Sequence, residues 1–297
     1  MDAIVTAGGI PLPEEPLYPY CEGRAKAMVD VAGKPMIQWV LDALSSARTI
    51  KNVIIVGLTE KSGVTCKKRL YFVPNQGKML DNLRAGVEKA QEINKRARHV
   101  LLVSSDIPAI TGEMVDWVVE AAIETDDDIY YNVIPREVME ERFPGSKRTY
   151  THLKDMDVCG GDMNVARAKM VTGEIGIWEK IANARKNPLK QAALIGFDAF
   201  FALIFRQMTL ERAVEKVTKR LNITGRAIVC PYAEVGMDVD KPHQLELVRE
   251  DLATPKKRKK KAVGKKPKKG AKKAGKPSRK TAGKPKAARE KTKKAAR

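Results

Sequence analysis

Ala3-Ile4-Val5-Thr6-Ala7-Gly8-Gly9 opens the chain. The segment after it carries Arg24 and Lys26, then Val29-Asp30-Val31-Ala32-Gly33-Lys34-Pro35-Met36-Ile37, before an amphipathic run from Gln38 to Ala47. The apolar triplet reads as a short strand that breaks at the paired glycines. Two glycines at the carboxyl end of a strand let backbone N–H groups approach a phosphate with no Cβ in the way, and they tolerate positive φ. A bare Gly-Gly is more often a mobile surface turn, so its meaning depends on context. Pro35 fits the first turn of a helix, where its missing N–H costs nothing. Strand, glycine turn, long basic loop and first helix, beginning at Pro35, thus follow in the order that an α/β nucleotide site requires.

Outward from that stretch, strand and helix patterns alternate. Asn52–Leu58 is a nearly continuous β-branched run of the kind covered on both faces, Leu70–Val73 is a second short strand, and His99–Ser105 a third. Met79, Leu80, Leu83, Val87 and Ala90 fall at helical spacing, as do Met114, Val115, Val118, Val119 and Ala122 behind Thr111, a predicted N-cap. Ile129–Ile134 reads as a strand closed by Pro135. Residues 136–161 are polar, and from Gly160-Gly161-Asp162 to Asn222 the pattern is helical, with breaks at Pro188 and Thr209. A region of about 136–224 is therefore expected as an insert on the acceptor side of the sheet. Ala227–Tyr232 is a final strand and His243–Glu250 a final helix. The fold class expected is α/β, a three-layer α/β/α sandwich on a mostly parallel, mixed sheet.

Charge divides the chain in two. Its net charge is +20, but residues 255–297 hold 22 Lys or Arg against the single acid Glu290, while residues 1–254 hold 34 bases and 35 acids. A near-neutral domain, 1–254, is expected to precede a Lys/Ala/Pro-rich tail, 255–297, that cannot offset its ordering entropy and stays disordered. The tail resembles those of linker histones in composition and is expected to hold nucleic acid, or an anionic membrane, without sequence preference. Gly270-Ala271-Lys272-Lys273-Ala274-Gly275-Lys276-Pro277 imitates a P-loop, but Pro277 replaces the metal-binding hydroxyl and no strand precedes it. Cys21, Cys66, Cys159 and Cys230 never form C-x-x-C, and His99, His152 and His243 have no metal or triad spacing. The apolar run Ala192–Phe205 spans about 14 residues, short of the roughly 20 a membrane helix needs. With a strand and no basic-apolar leader at the start, free thiols and a cytoplasmic location are expected.

Ligands of open α/β sheets bind outside the carboxyl ends of the strands. Gly8-Gly9 with Arg24 and Lys26, then Asp106, then Asp238 and Asp240 all converge there. Carboxylates from two strand ends can hold Mg²⁺, a hard ion that takes oxygen ligands from one or two carboxylates and from phosphates. Lysine and glycine amides would face those phosphates.

On these anchors the chain resembles the MobA-like nucleotidyltransferases of the GT-A type, a family that also includes sugar-phosphate and methylerythritol-phosphate cytidylyl- and guanylyltransferases. They are Ala7-Gly8-Gly9, Arg24 to Met36, Ser105-Asp106-Ile107-Pro108 and Met237-Asp238-Val239-Asp240-Lys241-Pro242. The likeness covers most of residues 2–250 and implies a Rossmann-like GT-A fold. It implies that Lys26 contacts the triphosphate, that Ala7, Gly8, Gly9 and Asn82 bind the nucleotide, and that Asp106 with Asp238 and Asp240 holds Mg²⁺. The family's loop reads Gly-Gly-x-Gly-x-Arg, whereas Ile10-Pro11-Leu12-Pro13-Glu14-Glu15 follows Gly9 here and Ala25 stands for the usual proline before the lysine. Arg24 is expected to replace the early arginine as a catalytic group.

The resulting expectation is an Mg²⁺-dependent nucleotidyltransferase that moves an NMP unit from an NTP to a phosphorylated acceptor and releases pyrophosphate. Arg148, Lys154 and Gly160-Gly161-Asp162 would border the acceptor. The rival readings are a degenerate nucleotide-binding domain carrying a nucleic-acid-binding tail, and a GT-A glycosyltransferase, which keeps a metal carboxylate without releasing pyrophosphate.

Overall fold

The computed structural model describes residues 1–173 and 206–254, all within a unit that runs from Met1 to Arg258. Pro188, the run Ala192–Phe205 and the tail 255–297 lie outside the described residues.

Strand β1 (Asp2–Thr6) leads into the long loop, which contains a one-turn helix α1 (Tyr18–Cys21), a 3-10 turn at Lys26–Met28 and the small hairpin β2 (Asp30–Val31) and β3 (Lys34–Pro35). Helix α2 (Met36–Ser46) follows. Two expectations are corrected here. The chain meets a helix before Pro35, and Pro35 is the N-cap of α2 with extended backbone (φ −53°, ψ 140°) rather than its first turn. Next come β4 (Asn52–Val56), β5 (Arg69–Val73), α3 (Met79–Ile93), β6 (His99–Ser104), α4 (Gly112–Ala122), β7 (Ile129–Pro135) and α5 (Arg136–Arg142). Thr111 caps α4 as expected, its side chain accepting from the Met114 N–H.

Residues 151–173 hold β8 (Thr151–His152), β9 (Asp157–Gly160), β10 (Met163–Arg167) and α6 (Ala168–Thr172). After residue 205, α7 (Leu210–Leu221), capped by Thr209, precedes β11 (Gly225–Val229) and α8 (Pro242–Ala253).

Strands β5, β4, β1 and β6 are parallel neighbours, and β11 is parallel to β7. Between β6 and β7 runs β10, antiparallel to both. This corrects the helical reading of the residues after Asp162. Residues 157–167 belong to the sheet, and β10 lies in its middle. β9 and β10 form one bent strand along β7: β10 pairs with β6 on its other side, and β9 pairs with β8. Buried Asn132 stitches the bend. It donates to the Met163 carbonyl at 2.8 Å, its N–H donates to Asn164 Oδ1 at 2.8 Å, and its carbonyl accepts from Gly161 N–H at 2.8 Å. The bend brings Asp162 to the end of β6, where its carbonyl accepts from the Ser104 N–H at 2.9 Å.

The period-2 alternation of the strands makes the layers. Ala3, Val5, Val53, Ile55, Leu101 and Val103 face α2 and α4, while Ile4, Ile54, Val56 and Val100 face Val87 and Ala90 of α3 and Ala168 and Val171 of α6. Gly86 lets α3 approach closely, since a Cβ there would lie 2.5 Å from Ile4 Cγ2. Burying this double-faced core is what fixes the carboxyl ends of β1, β4, β5 and β6 along one rim.

Candidate active site

A cleft of about 350 Å³ opens at that rim. Its lining comes from Thr6, Ala7, Gly8 and Gly9 after β1, Asn75 and Gly77 after β5, Met79 and Asn82 at the start of α3, Ser104, Ser105 and Asp106 after β6, and Lys26 and Ala27 from the loop.

Two glycines make this crossing possible. Gly57, just past β4, has φ +104°, and a Cβ on it would lie 2.2 Å from Gly8 Cα, so the chain leaving β4 touches the chain leaving β1. The asparagines hold the result in place. Asn75 donates to the Gly8 carbonyl at 2.9 Å, and its Oδ1 accepts from Gly77 N–H (2.9 Å) and from Asn82 Nδ2 (3.1 Å). Asn82 is buried and its Oδ1 accepts from Gln76 N–H at 2.7 Å. The expected nucleotide residues Ala7, Gly8, Gly9, Lys26 and Asn82 are therefore brought to one cleft. Asn75 and Gly57 were not singled out in the sequence; the only signal for Asn75 was its place in Pro74-Asn75-Gln76-Gly77, where an Asx side chain bonds the backbone two residues on.

Lys26 is anchored through its backbone, its N–H donating to the Gly9 carbonyl at 2.8 Å. Its ammonium donates to Asp106 Oδ2 at 2.6 Å and to Asp240 Oδ1 at 2.5 Å. Burial alone would lower the lysine pKa, but the two carboxylates outweigh it and hold the ammonium charged well above the ordinary range. Partial burial would likewise raise the Asp240 carboxyl, yet Lys26 draws it below the usual value. The Ser104 hydroxyl donates to the other oxygen of Asp106 at 2.5 Å, and the Asp106 carbonyl accepts from the Val239 N–H at 3.0 Å, which ties the last loop to the end of β6.

Asp238 and Asp240 find different cations. Asp238 forms a partly buried ion pair with Arg148, which also stands 4.0 Å from Asp162. Lys26 and Arg148 are thus each set between carboxylates of different elements. Arg24 lies elsewhere: its guanidinium is largely exposed, pairs with Glu22 at 2.9 Å, and takes no part in lining the cleft.

Asp106 and Asp240 both reach one point in space, the Lys26 nitrogen, with hard oxygen donors, so the pair fits a small divalent cation. Among the described residues no group of three or more His, Cys, Asp or Glu converges as a closed metal nest. An ion held by Asp106 and Asp240 would complete its shell from phosphate and water, the habit of Mg²⁺.

The family of the MobA-like NTP transferase domain matches this chain over residues 22–173. A hypothetical transferase from Thermus thermophilus is 32% identical, with a TM-score of 0.71, over 82% of this chain and 98% of that one. Similar folds occur in a CMP:2-keto-3-deoxy-manno-octonic acid synthetase complexed with CTP (14% identity, TM-score 0.50, 85% and 98% covered) and in the 4-diphosphocytidyl-2C-methyl-D-erythritol synthase of Anaerococcus prevotii (12%, 0.51, 85% and 96%). No curated protein matches the chain.

Proposed function

The chain belongs to the MobA-like NTP transferase family, and from that premise we propose that it transfers the NMP unit of an NTP to a phosphorylated small-molecule acceptor and releases pyrophosphate, with Mg²⁺ as cofactor. The observation that carries this reading is the Lys26 ammonium held between Asp106 and Asp240 on the wall of a cleft whose other wall is Gly8-Gly9 backbone.

In this reading the Gly8 and Gly9 amides and Lys26 receive the triphosphate. Asn75 and Asn82 fix the loop that meets the rest of the nucleotide. Asp106 and Asp240 would hold Mg²⁺, whose charge, when bound, offsets that of the phosphates. Asp238 is instead committed to Arg148, and Arg148 with Asp162 and the Gly160-Gly161 bend borders the acceptor. An acceptor phosphate is already ionised at neutral pH, so the protein needs no general base. Its work is positioning and charge stabilisation for in-line attack at the α-phosphorus. The tail 255–297 is proposed to tether this body to nucleic acid by counterion release.

Screening the four NTPs against phosphorylated metabolites for pyrophosphate release tests the proposal. One NTP–acceptor pair releasing pyrophosphate supports it. Nucleotide binding with no release for any pair favours the degenerate binding domain, and sugar transfer from a nucleoside diphosphate sugar, supplied in a parallel assay, favours the glycosyltransferase.

A further inference from the structure

We propose that Lys26 makes this site selective for a metal–nucleotide complex over free metal, by occupying the cation position between Asp106 and Asp240 until a triphosphate draws it away. The proposal rests on the nucleotide reading above and adds to it the form in which the substrate must arrive.

The two carboxylates are already matched to one positive centre. Asp106 has one oxygen on Lys26 and the other on the Ser104 hydroxyl, and Asp240 meets the same ammonium. A free divalent ion that sought these oxygens would have to sit beside the ammonium or expel it. The ammonium is held by both carboxylates at once. Expelled, it needs another anion. Among the described residues the cleft lining offers none, its charged side chains being Lys26 and Asp106.

A triphosphate changes that balance. Lys26 and the Gly8-Gly9 backbone line one cleft, so phosphate oxygens placed there give the ammonium a new acceptor. Its main chain stays bonded to Gly9, and only a flexible side chain has to swing. The carboxylates then open to the metal that travels with the phosphates. Because binding free energies are reciprocal, nucleotide must raise metal affinity by the same factor as metal raises nucleotide affinity.

The test uses the full-length protein and Mn²⁺ alone, followed by electron paramagnetic resonance without nucleotide. Wild type should bind Mn²⁺ only in the millimolar range or weaker, and Lys26→Met at least tenfold more tightly. Lys26→Arg, which keeps a cation, should exclude Mn²⁺ as wild type does. Adding Asp106→Asn to Lys26→Met should remove the gained binding, with circular dichroism confirming that each variant is folded. Equal Mn²⁺ affinity in wild type and Lys26→Met, or gained binding that survives Asp106→Asn, would overturn the proposal. Failure of every NTP to bind would instead strike the transferase reading, while the Mn²⁺ comparison without nucleotide would still decide the role of Lys26.

Discussion

The ammonium of Lys26 lies 2.5 Å from a carboxylate oxygen of Asp240, 214 residues further along the chain. That contact closes the rim of strand ends. The loop after β1 and the loop before α8 meet across Asp106, and the chain's first and last site-forming segments become one site.

Lys26→Ala is expected to lower kcat/KM by about 100- to 1,000-fold, roughly 3–4 kcal/mol, the loss typical of a donor aimed at developing phosphate charge. The fold should persist, since the backbone bond to Gly9 is untouched. Steady-state kinetics on the purified variant check this, and wild-type turnover would remove Lys26 from the phosphate site.

Asp106→Ala and Asp240→Ala are each expected to raise the Mg²⁺ concentration needed for half-maximal rate. The double change should cost less than the sum, because both act through one ion. Asp238→Asn, which weakens the pair with Arg148, should alter the acceptor KM more than the Mg²⁺ requirement. Strict additivity of the first two, or full activity in EDTA, would reduce these carboxylates to structural roles.

Gly57→Ala should destabilise the protein by about 2–4 kcal/mol, because it combines a positive φ with a Cβ driven into Gly8. Relief of that clash must displace the nucleotide loop, so NTP affinity should fall as well. Urea unfolding and nucleotide titration measure the two effects. An unchanged midpoint would mean that the β1 and β4 chains do not cross so closely.

Asp116 joins α4 to the turn after α2. It accepts from Thr49 N–H and Oγ1 at 2.8 Å, from Arg48 N–H at 3.1 Å and from Arg48 Nε at 3.2 Å. Burial would raise its pKa, but these donors from Thr49 and Arg48 hold it below the usual carboxylate value. A depressed folded-state pKa adds stability above the unfolded value, about 3.9 for Asp, and loses it as pH falls through the folded value. Asp116→Asn should therefore cost about 1–3 kcal/mol at pH 7 and flatten the fall in stability below about pH 4. Urea melts at both pH values show this, and an unaltered acid limb would contradict it.

Removing residues 255–297 should abolish DNA retention at low salt and leave turnover of a small acceptor nearly unchanged. Six phosphate contacts would give the intact protein a log–log salt slope near −5, at about 0.9 per contact. DNA affinity retained by residues 1–254, or activity lost from them, would refute this division of labour.

Much of this architecture was legible because buried parallel strands are nearly all β-branched: Asn52-Val53-Ile54-Ile55-Val56 cannot sit comfortably anywhere but between two helical layers. Asp106 could be read from its place at a strand end. β10 escaped notice because Met163-Asn164-Val165-Ala166-Arg167 mixes helix formers with one β-branched residue and runs directly into α6. Its strand state is imposed by pairing with β6 and β7, a tertiary effect that overrides local propensity. The partners of Asp238 and Asp240 were equally hidden. Both belong to one extended stretch, and only the bend at Gly161-Asp162, which sets Arg148 beside Asp162 and Asp238, separates their roles. Arg24 looked apt by sequence spacing, but Glu22 two residues away holds it at the surface.

The central claim is transfer of an NMP unit, and the most direct measurement follows the label of an NTP carrying ³²P at the α-phosphorus and, in a parallel reaction, at the γ-phosphorus. With the productive acceptor, the account predicts that the α-label appears in a new acceptor conjugate, that γ-label appears in pyrophosphate, and that Lys26→Ala loses both. A γ-label found on the acceptor, or an α-label that remains in free nucleotide while the acceptor is consumed, would contradict it.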